Sequence, residues 1–284
     1  MMRKPSVDRR ALFASGAAAA LLAAAGVSAG PLPQQGGKLR LALSGASRKD
    51  SWAKGDGLFM QVARLGVVFE ALTEVAADGT LRPELATAWN ASADSRTWSF
   101  DLRRDVMFHD GHAFGASDVV ASLRRSIGPA ATIEAEGPQR VRATLDSPDP
   151  AFPFTLAAPA HVIRPAHALD KGIGTGLYQL VHFAPGQQLL AQRSPNHWKD
   201  GLAGWFDRIE LVSIPSEAVR VQALAEYLVD AVDLTDGTPL AIFDDIAVHL
   251  DAGQAASRSI AMPGNIGTRH SMDDLRAAQR WWAA

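Results

Sequence analysis

The sequence predicts an α/β fold, because segments with the two-residue alternation of strands interleave with segments of helical spacing. The clearest strand is Thr97–Leu102, in which Trp98 and Phe100 lie two residues apart and share one face, which we expect to be buried. The clearest helix is predicted at residues 62–72, where apolar residues recur every three or four positions. The chain of 284 residues contains no cysteine, so the core must depend on the 47% hydrophobic content rather than on disulfides.

Other elements follow in order along the chain. Alternation predicts strands at Lys38–Leu43, at Arg140–Leu145 and at residues 209–214. Helices are predicted to begin after Ser117 and Ser216, each as an N-cap, and to run to about positions 126 and 228. Strands and helices therefore alternate, as expected when helices pack on the faces of a sheet.

The beginning of the chain has the pattern of a twin-arginine export signal. Arg9 and Arg10 directly precede an uncharged, alanine-rich stretch at residues 11–29, which closes with the small-x-small cleavage pattern Val27-Ser28-Ala29. The alternative is an ordinary secretory signal, but alanine dilutes the hydrophobicity of this stretch, which favours the twin-arginine route. We therefore expect cleavage after Ala29, a periplasmic location and no membrane span after cleavage.

Charge and motif content exclude several classes of function. The net charge of −2 means that the chain has no excess of positive charge with which to bind nucleic acid. Neither G-x-S-x-G nor H-E-x-x-H occurs, and there is no cysteine for nucleophilic or metal chemistry. We expect a non-catalytic protein without a cofactor.

Several motifs then follow one another in a fixed order. Residues 68–89 contain V-F-E-A-L, D-G, P-E-L-A and W, and residues 100–111 read F-D-L-R-R-D-V-M-F-H-D-G. Residues 114–122 read F-G-A-S-D-V-V-A-S, and G-T-G-L-Y and R-S-P-N-H-W follow at 174–178 and 193–198. Together these blocks resemble the extracellular solute-binding proteins of family 5, which include the dipeptide-, oligopeptide- and nickel-binding proteins of ABC importers.

The resemblance covers residues 38–235 and implies a lobe of the periplasmic-binding-protein type II class, with mixed sheets flanked by helices. In the family a second lobe follows the region that matches residues 231–234, and too few residues follow here to build it. We therefore expect a shortened member whose second lobe is largely missing. The predicted divisions are a signal peptide at 1–29, a linker at 30–37, a lobe at 38–255 and a tail with a short helix at 256–284.

The implied function is that of a periplasmic solute-binding protein of an ABC importer, and the resemblance places ligand contacts in the loop at residues 44–58. Trp52 is the candidate for a stacking contact, with Arg48, Asp50 and Asp56 as charged candidates. Trp52 could equally cover the lobe's own core. The expected partners are a small-molecule or peptide ligand, an ABC permease and a second copy of the chain.

Two further alternatives are a metal site at residues 109–112 and a function other than transport. His109, Asp110 and His112 have a spacing that could bind a metal, but the family pattern already accounts for His109 and Asp110. We therefore expect a tight turn at Asp110-Gly111 and no metal. The functional alternative is a repurposed periplasmic accessory protein that holds a partner protein or a cofactor on the same scaffold, because the twin-arginine route exports folded proteins.

Overall fold

The computed structural model describes residues 35–76, 79–250, 259–263, 265–266 and 269–270, and the signal residues Arg9, Arg10 and Ala29 lie outside these ranges. The described strands are β1 Lys38–Leu43, β2 Thr73–Val75, β3 Leu81–Pro83, β4 Ala86–Ala91, β5 Thr97–Leu102, β6 Ala131–Gly137, β7 Arg140–Leu145, β8 Tyr178–Ala184, β9 Gln188–Arg193, β10 Arg208–Ser213, β11 Ala231–Leu234, β12 Ile246–Leu250, β13 Ser259–Pro263, β14 Asn265–Ile266 and β15 Arg269–His270. The described α-helices are α1 Leu58–Gln61, α2 Ala116–Ile127, α3 Phe152–Thr155 and α4 Glu217–Ala225. A π-helical segment, Val62–Val68, continues α1, and 3₁₀ turns occur at Gly128–Ala130, Pro159–His161 and Thr238–Leu240.

The larger sheet has seven strands in the order β12-β13-β11-β1-β10-β9-β8. β1 is parallel to both of its neighbours, β10 and β11, whereas the remaining pairs are antiparallel. Leu39, Leu41 and Leu43 of β1 are fully buried in the main core on one face of this sheet. Ala42 faces a second cluster that includes Leu224 of α4, so the end of β1 is covered on both faces.

The four-stranded sheet is antiparallel, in the order β4-β5-β7-β6, and packs against α2. Trp98 and Phe100 are buried and stacked, with ring centroids 6.4 Å apart, and the ring of Phe152 lies 6.3 Å from that of Phe100. The prediction that these two residues of β5 share a buried face is confirmed.

The structure confirms the strands at Lys38–Leu43 and Arg140–Leu145 and moves the strand predicted at 209–214 by one residue. The helix predicted at 62–72 is wrong at both ends: helix formation begins at Leu58, and the backbone is extended at Phe69, with φ −118° and ψ 166°. The residues that follow remain buried although they are not helical. At residues 69–72, apolar spacing therefore came from an extended, fully buried segment rather than from a helix.

The predicted helix caps also need correction. The N-cap of α2 is Gly115 rather than Ser117: its backbone is extended, and its N–H donates to Asp118 Oδ2 in the first turn at 3.0 Å. Ser216 is the N-cap of α4, as predicted, but this helix ends at Ala225. Tyr227 then has a φ of +55°, which breaks the helix three residues before the predicted end.

The larger sheet continues into the segment assigned to the tail, because β13 begins beyond residue 255 and pairs with β11 and β12. The short helix expected in that tail lies outside the described residues. Among the residues that the structure describes, no helix combines the length and apolarity needed to cross a bilayer.

Candidate functional site

The carboxyl ends of β1, β10 and β11 meet at one edge of the larger sheet, because these three strands run in the same direction. β1 lies between the other two, and the chain passes from β10 through α4 to β11. In α/β sheets, ligands bind outside the carboxyl ends of strands, at a point where the connections lead to opposite sides. This carboxyl edge, formed by residues 44–57, 214–217 and 235–239, is the candidate site.

A buried ion pair joins the three strand ends. Asp233 accepts hydrogen bonds from the Ser44 N–H at 2.8 Å and the Ser44 hydroxyl at 2.6 Å, and its Oδ1 lies 3.2 Å from Arg220 Nε. Arg220 also donates to the carbonyl oxygens of Ile214 at 2.7 Å and Pro215 at 3.0 Å. Because the Arg220 side chain is 3% exposed and that of Asp233 is 2% exposed, these contacts fix the strand ends in a dry environment.

Sequence reasoning missed both Arg220 and Asp233. The available signal was the aspartate within the strand Ala231–Leu234, whose other residues are apolar and whose four residues are all buried. A buried carboxylate requires a partner. Its partner lies on α4, and the identity of that partner could not be read from the sequence.

Asp50 stabilises the loop at 44–57 from within. Its Oδ2 accepts a hydrogen bond from the Ser47 N–H at 2.7 Å, and its own N–H donates to the Ser47 carbonyl at 3.0 Å. Gly55 has a φ of +113°, and a Cβ there would come within 2.6 Å of Asp50 Oδ1, so the loop requires glycine. The carboxylate of Asp50 is thus buried and serves the shape of the loop.

Trp52 packs into the main core. Its ring centroid lies 5.5 Å from that of Phe69 and 5.1 Å from that of Phe183, and only 7% of the residue is exposed. The Trp52 carbonyl accepts a hydrogen bond from Arg164 Nη2 at 2.9 Å. This placement matches the alternative in which Trp52 covers the lobe's own core, and a ligand contact through its remaining exposed edge stays a prediction.

Two buried guanidinium groups hold the loop through its backbone. Arg64 donates to the carbonyls of Gly55 at 2.8 Å and Ser51 at 3.1 Å, and Arg164 reaches the carbonyl of Trp52. Burial lowers the pKa of Arg64. Burial, together with the charges of Arg64 and Arg125, lowers the pKa of Arg164 to about 10. Both side chains stay cationic at neutral pH.

Arg48 and Asp56 are the two predicted ligand residues that remain exposed at this edge. The backbone of Arg48 rests on the β8–β9 turn, where a Cβ on Gly186 would come within 2.7 Å of the Arg48 nitrogen. The carbonyl of Asp56 accepts a hydrogen bond from Gln61 Nε2 at 2.7 Å. Both charged groups therefore stand on fixed backbone, and their contact with a ligand stays a prediction.

A depression of about 400 Å³ lies at the same edge, beside the first turn of α4, and its lining includes Glu217, Gln222 and Asp236. Burial opposes ionisation of Glu217, but hydrogen bonds from the backbone N–H groups of Thr235 and Asp236 lower its pKa. A hydrogen bond with Thr238 also lowers the pKa of Asp236. This part of the edge is therefore negatively charged at neutral pH.

The H-D-G turn occupies a different place and has a structural role. His109 Nε2 donates to the Gly176 carbonyl at 2.8 Å, and its Nδ1 accepts from the Gly174 N–H at 3.3 Å. Burial lowers the pKa of His109, which keeps the ring neutral. A Cβ on either glycine would overlap the backbone of Val68. Glycine is therefore needed at both positions, because the backbone of Val68 approaches too closely for a side chain.

Three of the motif blocks meet in a buried charge cluster. Lys199 Nζ lies 2.9 Å from Glu70 Oε1 and 2.7 Å from Glu84 Oε1, and the Trp198 ring N–H donates to Glu70 at 3.2 Å. Burial alone would raise the pKa of Glu70, but Lys199 and His197 lower it well below its usual range. The motifs at 68–89 and 193–198 thus supply residues of a buried contact within the scaffold.

A comparison with family models matches residues 80–262, more than half of the chain, to the bacterial extracellular solute-binding proteins, family 5 Middle. The chain belongs to this family. The members of this family are solute-binding proteins rather than enzymes, and the predicted family is confirmed.

Curated relatives include the glutathione-binding protein GsiB of Escherichia coli strain K12, which is 29% identical over 217 residues, 69% of this chain and 41% of that protein. The probable D,D-dipeptide-binding periplasmic protein DdpA of the same strain is 31% identical over 173 residues, 53% of this chain and 33% of that protein. The family-5 chain described here therefore spans less than half the length of these two relatives.

Among solved structures, the binding protein AgaA of A. tumefaciens R10, in complex with agropinic acid, has a TM-score of 0.68 and 25% identity. The similarity covers 76% of this chain and 48% of AgaA. The predicted fold class, a periplasmic-binding-protein type II lobe with mixed sheets, is confirmed.

Proposed function

We propose that this family-5 protein is the periplasmic solute-binding component of an ABC importer of the peptide and nickel class, and that it presents its ligand contacts at the carboxyl edge. The observation that carries the proposal is the joining of the three parallel strand ends by the Arg220–Asp233 pair. A face whose backbone is fixed in advance loses less conformational freedom when a ligand binds.

The charges at this edge favour a ligand with both a carboxylate and an amine. The names of the relatives refer to glutathione, a D,D-dipeptide and agropinic acid, which are all acids. Arg48 and Lys49 are exposed cations on the loop, and a guanidinium binds a carboxylate through two parallel hydrogen bonds. Asp56 and Asp236 would face the ammonium group of such a ligand.

The monomer should bind its ligand more weakly than a two-lobed relative does. The contacts at the carboxyl edge all come from one lobe, whereas closure of two lobes around a ligand adds contacts from both sides and excludes water. Because affinity is the surplus over ordering and desolvation costs, losing half of the contacts removes far more than half of the net binding free energy.

Calorimetry on the polypeptide that begins at Gly30 would test this proposal. We expect binding of short peptides or glutathione in the micromolar range or weaker. The double variant Arg48→Ala with Asp56→Ala should weaken binding by about tenfold or more, because each side chain supplies a charge-assisted contact. The matched control is Lys171→Ala with Glu134→Ala, which removes the same two charges from exposed positions elsewhere in the described structure.

Two outcomes would redirect the proposal. Equal peptide affinity in the double variant and its control would remove the carboxyl edge as the site. Binding of haem or co-purification with a partner protein, without binding of peptides, glutathione or nickel chelates, would favour the repurposed accessory protein. Nanomolar binding that requires dimers in sedimentation velocity would instead indicate that a second copy completes the cleft.

The periplasmic location and twin-arginine route rest on Arg9, Arg10 and Ala29. Replacing both arginines by lysine conserves the charge but removes the twin-arginine signal. We expect the uncleaved precursor to remain in the cytoplasm, as measured by fractionation and immunoblotting. Normal periplasmic accumulation of the lysine variant would contradict this route and leave the ligand proposal unaffected.

A further inference from the structure

Three side chains that can bind a metal meet on the surface of the lobe, outside the carboxyl edge. His167 Nε2 lies 2.8 Å from Asp110 Oδ2, and His112 Nδ1 lies 3.2 Å from Asp110 Oδ1. The two imidazole rings have centroids 4.3 Å apart. One donor atom from each of the three residues lies within 4.8 Å of the other two.

The backbone holds the first two residues in a closed turn. Gly111 has a φ of +85°, so a residue with a side chain would be strained there. The Phe108 N–H donates to the His112 carbonyl at 2.8 Å, and the His112 N–H donates to Asp110 Oδ1 at 3.2 Å. Asp110 and His112 are thus brought to one side of the turn without a ligand.

The third residue comes from a separate segment that α2 holds in place. The Arg164 N–H donates to the Ser122 hydroxyl at 2.9 Å, and the Ala166 N–H donates to Asp118 Oδ1 at 2.8 Å. Both acceptors belong to α2. His167 follows directly, so its position against the turn is set by hydrogen bonds of the neighbouring backbone, one buried and one partly buried.

The sequence pointed to a different histidine. His109 has the right spacing in the chain, but both of its ring nitrogens bond to the backbone of Gly174 and Gly176. His167, which is 57 residues away from Asp110, takes its place. This long-range contact cannot be found from local spacing.

We propose that Asp110, His112 and His167 bind one divalent transition-metal ion of the zinc type. Imidazole nitrogen and carboxylate oxygen bind such ions at about 2.0–2.2 Å, which places neighbouring donor atoms about 3.4 Å apart in a tetrahedral site. The observed nitrogen–oxygen separations, 3.2 Å for His112 and 2.8 Å for His167, involve different oxygens of Asp110, and one donor atom from each residue lies within 4.8 Å of the other two. Metal binding therefore requires the exposed side chains to adjust until all three donors have the tetrahedral spacing.

The expected coordination uses His112 Nδ1, His167 Nε2 and an oxygen of Asp110, with each ring carrying its remaining proton on the other nitrogen. The three side chains are partly exposed, so water or a small chelating molecule completes the coordination shell. A hard ion such as Mg²⁺ prefers oxygen ligands and should not compete.

Calorimetric titration of the full, tag-free chain with ZnCl₂ would test the site, after treatment with a chelator. We expect one saturable site. His167→Ala and His112→Ala should each lose at least tenfold in zinc affinity, because replacing even a residue that only hydrogen-bonds a metal ligand lowers metal affinity by about 10-fold or more. His182→Ala is the matched control, because His182 is an exposed histidine on β8, outside the cluster.

Two further measurements make the result decisive. Zn²⁺ should raise the unfolding midpoint of the wild type and of His182→Ala but not of His167→Ala, because only a site present in the folded state couples to stability. Asp110→Asn keeps an oxygen to cap the turn and should also lose zinc affinity, with unchanged circular dichroism. Zinc affinity that is equal in the cluster variants and the control, or absent from the wild type, would overturn the proposal.

Discussion

In the four-stranded sheet, apolar side chains on one face hold the strands in place, whereas at the carboxyl edge of the seven-stranded sheet this is done by buried charged groups. Beneath the four-stranded sheet, the rings of Trp98, Phe100 and Phe152 pack against one another. At the carboxyl edge, Arg220 and Asp233 tie together three strand ends. Both regions are dry, but the forces that order them differ.

In this lobe, stability and accurate positioning come from different interactions. Apolar packing depends mainly on the area removed from water and has little preference for direction. A guanidinium that bonds a carboxylate and two carbonyls fixes both distance and angle. A buried ion pair contributes little net stability compared with apolar residues. We therefore assign the Arg220–Asp233 pair to the accurate placement of the candidate site.

Replacing Arg220 by methionine should have the largest effect on stability. It leaves the Asp233 carboxylate buried without its cation and removes the donors to Ile214 and Pro215, so we expect a loss of at least about 5 kcal/mol in the free energy of unfolding. Urea unfolding followed by tryptophan fluorescence would measure it.

The control for this experiment is Arg208→Met, at an exposed position of β10, which should change the stability by no more than about 0.5 kcal/mol. A similarly small loss for Arg220→Met would mean that the ion pair is dispensable. The contrast between the two regions would then fail.

Phe100→Ala probes the apolar region and should cost about 3–5 kcal/mol, because it removes a fully buried ring and leaves a cavity between Trp98 and Phe152. Ser99→Ala in the same strand is the control and should be nearly neutral, since Ser99 faces the other side of the sheet. A loss below about 1 kcal/mol for Phe100→Ala would show that its ring does not carry the packing of this sheet.

The two regions also differ in how well the sequence predicts them. Alternation identified β5 and β7 because each has one buried and one exposed face, with burial alternating at every residue. Trp98 and Phe100 were assigned to the correct face for the same reason. Where water reaches one face of a strand, the apolar pattern of the sequence and the burial of the side chains share the same two-residue period.

That agreement is lost in the segment after Val68 and in the loop at residues 44–57. Phe69 is buried on an extended segment that apolar spacing predicts as a helix, because a segment covered on all sides has no polar face to set a period. Trp52 and Asp50 are of residue types that often contact ligands, yet the structure buries both side chains. The partner of Asp233 lies on another element, and only the fold brings the two together.

An exposed ion pair on the larger sheet should have the smallest effect on stability. Lys38 Nζ lies 2.6 Å from Glu210 Oε2, and the two side chains are 46% and 26% exposed. Water screens this pair, and Arg40 is opposite Glu210 in the strand register, so Glu210 keeps a cationic neighbour when Lys38 is removed.

We expect Lys38→Met to cost less than about 1 kcal/mol in urea unfolding. The difference in unfolding free energy between wild type and Lys38→Met should become smaller still in 1 M salt, where the Debye screening length is about 3 Å. The loss of unfolding free energy in Arg220→Met should be the same in 1 M salt, because Arg220 and Asp233 are buried and salt ions cannot approach them. If both losses fell equally with salt, the Arg220–Asp233 pair would be accessible to water, and burial could not be what fixes the strand ends.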